Sequence, residues 1–187
     1  MDASHELGLL AIDLQSALLP ALPEPERLRQ RCRFALRAAQ LFEIPVFFTE
    51  QVPEKLGPTD ASLLDCLDPP PANVFSKSAF SAFGCEPLVN ALDAAAIAHL
   101  LVIGIETPVC VYQSILDARR RDLDVTLLTD AIGARRPDDA AALLPVLREA
   151  GCHCLPSETV FYSLLGDAGH PRFRDFTQLV KQANTAV

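Results

Sequence analysis

Residues 99–105 read His-Leu-Leu-Val-Ile-Gly-Ile, apolar at nearly every position. Such a run has no polar side to offer water, so as a strand it must be covered on both faces. Gly8–Ile12, Ile44–Phe48, Asp124–Leu128 and Cys152–Leu155 read the same way, and Asn73–Phe75 more weakly. Between these runs the apolar spacing changes to three and four. Leu28, Cys32, Ala35, Leu36, Ala39 and Phe42 give Glu26–Phe42 one apolar helix face. Helices are also predicted over Glu86–Ala96, Pro108–Arg121, Ala140–Ala150 and Pro171–Gln182. Doubly covered strands alternating with helices define the α/β class, a parallel sheet with helices on both faces. Five prolines in residues 50–71 mark a long loop with a short helix, suited to a lid.

The 187 residues are expected to form one domain spanning 1–187. A formal charge of −8 argues against a nucleic-acid partner. Arg119-Arg120-Arg121 is too short to reverse that and suits the C-terminal end of a helix. The start, MDASHELGLLAID, lacks a basic segment followed by a long apolar one, and no run is long enough to span a membrane. Six cysteines without framework spacing point to a reduced, cytoplasmic protein. Cys152-His153-Cys154 has no second ligand pair beside it and reads as core packing.

Ligands of open parallel sheets bind beyond the carboxyl ends of the strands. Asp13, Glu50, Lys77, Glu106 and Cys110 all fall there. With Thr107 as N-cap and Pro108 at the first helical position, Cys110 lies in the first turn of a helix. There the helix dipole favours a thiolate, although a small buried side chain satisfies the spacing equally well. Asp13 ends an apolar strand and reads as a base or as a turn residue; Lys77 reads as a site residue or as a solvated loop lysine. A Gly-rich phosphate loop is absent after the first strand, and so is a G-x-S-x-G elbow anywhere.

Taken in order, AIDLQ (11–15), FFTEQVPEKLGPT (47–59), FSKSAFSAFG (75–84), GIETPVC (104–110), TDAIGAR (129–135) and SETVFYSLLGDAGHPRF (157–173) resemble the isochorismatase-like cysteine hydrolases. The branch most similar holds the isochorismatase domain-containing proteins. The resemblance implies a three-layer α/β/α sandwich with a six-stranded parallel sheet ordered 3-2-1-4-5-6. It implies a catalytic triad of Asp13, Lys77 and Cys110, with Cys110 forming a thioester on an amide-like C–N substrate. It further implies a cis peptide before Glu106 and an oxyanion hole made by the backbone N–H groups of Glu106 and Cys110. Metal-binding members have Asp-x-His after the second strand; Thr49-Glu50-Gln51 stands here, so neither metal nor cofactor is expected. Gln51, Phe80, Phe83 and Tyr112 are expected to shape a pocket for a small molecule, in a homo-oligomer. Vinyl ether hydrolysis through Asp13 and Lys77, or a scaffold without activity, are the alternatives.

Overall fold

A computed structural model of the chain describes residues 6–185. Its strands are β1 (Leu7–Ile12), β2 (Val46–Gln51), β3 (Val74–Lys77), β4 (His99–Gly104), β5 (Asp124–Ile132) and β6 (His153–Leu155). They form one six-stranded parallel sheet in the order β3-β2-β1-β4-β5-β6. The order reverses between β1 and β4, which is where such sheets open a crevice. In β1 every residue is buried. Because side chains alternate across a strand, Leu9 and Ala11 join one apolar cluster while Leu10 and Ile12 join the other.

The first cluster is covered by α1 (Pro25–Leu41), α3 (Ala61–Leu64), α7 (Ser157–Leu165) and α8 (Phe173–Thr185). The second is covered by α4 (Glu86–Ala94), α5 (Tyr112–Arg120) and α6 (Pro137–Glu149). The result is three layers. Phe34, Phe42, Phe161 and Phe176 meet in the first cluster with ring centroids 5.6–6.4 Å apart. Cys152 and Cys154 are buried in the second, and His153 stacks on His99 at 6.5 Å. At the β1–β4 seam, Gly104 has φ +123° and a Cβ there would overlap the Ile12 carbonyl. Glycine alone lets the two backbones approach this closely.

Several boundaries differ from those expected from the sequence. Strands β2, β3 and β5 run on to Gln51, Lys77 and Ile132, since polar residues at strand ends still pair in the ladder. Helix α6 starts at Pro137 with Asp138 and Asp139 in its first turn, and it passes through Pro145. In residues 50–71 there are two short helices, α2 (Pro53–Leu56) and α3. Helix α7, not expected from apolar spacing, begins at Ser157, whose N–H and hydroxyl donate to Asp130 Oδ1 at 2.8 and 2.7 Å. Arg31 of α1 donates to the other oxygen of the same carboxylate. Asp130 therefore joins β5, α1 and α7.

Burial alone would raise the Asp130 carboxyl, but bonds from Ser157 and Arg31 hold it below its usual value of 3.8. A carboxyl lowered in the folded state contributes stability above its unfolded pKa and loses it as pH falls through the folded one. Asp130→Asn is expected to cost about 1–3 kcal/mol at pH 7 in urea unfolding. The gap between variant and parent should narrow as the pH falls below 3.8; an unchanged gap would contradict the assignment.

Candidate active site

Asp13 follows β1 directly and takes φ +52°, a left-handed conformation that Asp tolerates better than most residues. It is 1% exposed. The Thr49 hydroxyl donates to its Oδ1 at 2.8 Å, and the Lys77 ammonium donates to its Oδ2 at 2.7 Å. Lys77 stands at the end of β3, two strands from β1, and its long side chain crosses β2 to make this pair. On the way its Nζ donates to Gln51 Oε1 at 2.5 Å and to the Phe80 and Ala79 carbonyls at 3.1 and 3.2 Å. Gln51 is itself held, with Nε2 donating to the Ser78 carbonyl at 2.8 Å. A buried ammonium is tolerated only when paired and surrounded by acceptors. Both conditions are met.

Cys110 comes from the far side of the seam, on the turn that follows β4. This turn, Thr107–Val111, is π-helical and leads straight into α5. Its start differs from the sequence expectation. Glu106 occupies the N-cap position, and the Thr107 hydroxyl donates to the Gly133 carbonyl at 3.0 Å. A tertiary acceptor on the neighbouring segment has replaced the local cap. The Ile105–Glu106 peptide is cis, and no acceptor for the Glu106 N–H is found among the described residues. Behind Cys110, the Ser114 hydroxyl donates to the Cys110 carbonyl at 2.6 Å and accepts from the Ala82 N–H at 2.8 Å.

The Cys110 thiol does not show the depressed value expected of a first-turn cysteine. Burial pushes it up to about 12, the Asp13 carboxylate adds to the rise, and Lys77 opposes it. Desolvation outweighs the helix terminus here. Burial likewise raises the Asp13 carboxyl above 3.8, against the pull of Lys77. A protonated thiol thus faces a carboxylate that burial makes more basic than usual.

These groups form the floor of a cavity of ≈ 320 Å³, at the small end for ligand sites. Gln51 and Phe80 line it, as does Glu106; Lys77 lies beneath, beside Asp13. Phe83 and Tyr112 do not line it and pack instead into the second apolar cluster, Phe83 beneath the Arg121 guanidinium. Phe83 sits within the 3-10 turn at Ala82–Gly84, which carries it away from the cavity that Phe80 lines. Glu50, also at a strand end, accepts from the Thr59 N–H and hydroxyl at 2.7 and 2.8 Å and is structural.

Sequence reasoning missed Gln15, Thr49 and Arg135. Gln15 is fully buried; its amide donates to the Gln51 and Gly57 carbonyls and accepts from the Gln51 N–H. With Glu50 and the Asp60 N–H to Leu14 carbonyl bond, it fastens the 52–60 segment to the body. That segment forms one wall of the cavity, to which it contributes Leu56. The adjacency of Gln15 and Asp13 was the available signal. Arg135 reaches the cavity from the segment after β5 and pairs with Glu106. Among the described residues no three His, Cys, Asp or Glu side chains gather as metal ligands, and no helix is long and apolar enough to cross a membrane.

The doubly wound sheet gathers an acid, a cation and a thiol at its reversal point, where such sheets bind their ligands. The chain belongs to the isochorismatase family of hydrolases: the Isochorismatase domain model matches residues 8–159. Isochorismatase domain-containing protein 2 of Bos taurus is 37% identical over 150 residues, covering 79% of this chain and 70% of the relative. The MAR1 ribonuclease structure from Caenorhabditis elegans aligns with TM-score 0.87 at 28% identity, over 95% of this chain and 90% of that one. YcaC from Escherichia coli, described as an octameric hydrolase of unknown specificity, aligns at 0.81 with 22% identity over 98% and 96%.

Removing the Lys77 cation while leaving Asp13 in place strands a buried carboxylate. Lys77→Met is expected to cost about 3–5 kcal/mol at pH 7 by chemical denaturation. Asp13 then takes up a proton in the folded state, so the deficit should shrink as pH falls toward 3.8. Adding Asp13→Asn should recover part of it. A double variant no better than the single one would show that the pair does not carry this energy.

Proposed function

We infer that this hydrolase cleaves an amide-like C–N bond of a small molecule through Cys110. The observation that carries the reading is the burial of Asp13 and Cys110 together at the floor of one cavity, with Lys77 buried beneath and paired to Asp13. Asp13 takes the thiol proton as the sulfur bonds to the carbonyl carbon, whose oxygen becomes an oxyanion. The unpaired Glu106 N–H, together with that of Cys110, receives this charge. Collapse of the intermediate breaks the C–N bond. The departing nitrogen takes the proton from Asp13, leaving a thioester. Asp13 then deprotonates a water, which attacks the thioester; the acid is released and the sulfur regains its proton. Lys77 holds Asp13 in place and balances its charge throughout. Four acceptors around its ammonium support that role.

Vinyl ether hydrolysis through Asp13 and Lys77 would leave the buried thiol beside them idle, and a scaffold would leave all three idle. The ribonuclease description of one neighbour finds no electrostatic support in a chain of net charge −8. The octameric state described for YcaC supports a homo-oligomeric assembly here as well.

A hydrolysis screen over small amides and carbamoyl compounds tests the reading. Cys110→Ala is expected to abolish turnover, and Asp13→Asn to lower kcat by about 10²–10⁴. Acid quenching during turnover should leave an acyl group on Cys110, visible by intact mass. Since burial raises Asp13, the acid limb of the kcat profile should have its midpoint above 3.8. Turnover that survives in Cys110→Ala would rule out the thioester route.

A further inference from the structure

The charges that reach the cavity cancel in two closed pairs. At the floor, Asp13 is matched by Lys77 at 2.7 Å. At the rim, Glu106 is matched by Arg135 through Nε to Oε1 at 2.5 Å and a second terminal nitrogen to Oε2 at 3.2 Å. The Arg135 backbone N–H also donates to Glu106 Oε1 at 3.2 Å, so the carboxylate is fixed to that segment by main chain and side chain together. Gln51 and Cys110 add two uncharged groups, and Leu18, Leu22, Leu56, Phe80, Ile105 and Val109 make most of the remaining wall apolar.

This arrangement discriminates by charge. Arginine binds a substrate carboxylate best through two parallel N–H bonds, and Glu106 already occupies such a fork on Arg135. An anion binding through that same fork would displace Glu106, whose side chain is only 18% exposed and would be left without its partner. It would also approach two fixed carboxylates, Glu106 and Asp13. A neutral amide meets neither penalty, and a short alkyl chain fits the apolar wall.

We propose that Glu106 is the specificity-determining residue of this cavity: by occupying Arg135 it excludes anionic ligands and admits neutral amides with a short apolar acyl chain. To name these amides as substrates rests on the Cys110 reading above; the charge selectivity is a property of binding and stands apart from it. Its test uses butyramide and butyrate, alike in shape and different in charge, binding to Cys110→Ala at pH 7.5 by saturation-transfer NMR. Butyramide should bind about tenfold more tightly than butyrate. Glu106→Gln in that background frees the guanidinium and should close the gap, whereas Arg135→Gln leaves Glu106 unpaired and should widen it. Butyrate binding as tightly as butyramide, a ratio indifferent to Glu106→Gln, or binding of neither compound would overturn the proposal. Failure of the nucleophile reading would show separately, as wild-type protein that never carries an acyl group on Cys110 while the binding ratio remains.

Discussion

The salt bridge between Lys77 and Asp13 governs the geometry around it. Both side chains are almost wholly removed from water, at 0% and 2% exposure, so each charge depends on the other and on the dipoles nearby. Three strands are bound into this one contact. Asp13 ends β1, Gln51 ends β2 and Lys77 ends β3, and the chain beyond β3 must curl so that the Ala79 and Phe80 carbonyls face the ammonium. Phe80 is thereby brought to the cavity wall. The conformation of a loop thus follows from the need to solvate a buried cation.

Much of the architecture is written in local pattern. Strands buried on both faces have no other way to pack, so the class and the layering follow from runs such as Leu100–Ile103. The site residues stand out for a related reason: Asp13 and Cys110 are reactive side chains placed where apolar strands end. What local pattern lacks is any signal from residues distant in sequence. Thr107 looks like a cap but bonds Gly133, 26 residues on. Cys110 looks like a dipole-activated thiol but is governed by burial and by Asp13, 97 positions before it. Arg135 carries no local mark of function, and its part at the cavity follows from Glu106 lying opposite.

The same separation explains the aromatic side chains. Phe80 and Phe83 are three residues apart, yet one is 55% exposed at the cavity and the other is buried in the core. Phe83 lies within a 3-10 turn that redirects the chain just after Phe80, and composition cannot reveal which way it turns. At residues 52–60 prolines carry only part of the information. They mark a segment without long helices or strands, but Gln15 and Glu50 then anchor it by hydrogen bonds whose partners lie elsewhere in the sequence.

Asp130 carries one more implication, for what keeps α7 helical. The N-terminus of α7 finds its cap on a strand 27 residues earlier, and the same carboxylate holds Arg31, 99 residues before it. Neither bond exists until β5 has joined the sheet. As a nine-residue segment, α7 is too short to be stable alone in water. Its helical form therefore depends on the rest of the fold, to which Asp130 ties it through β5 and α1.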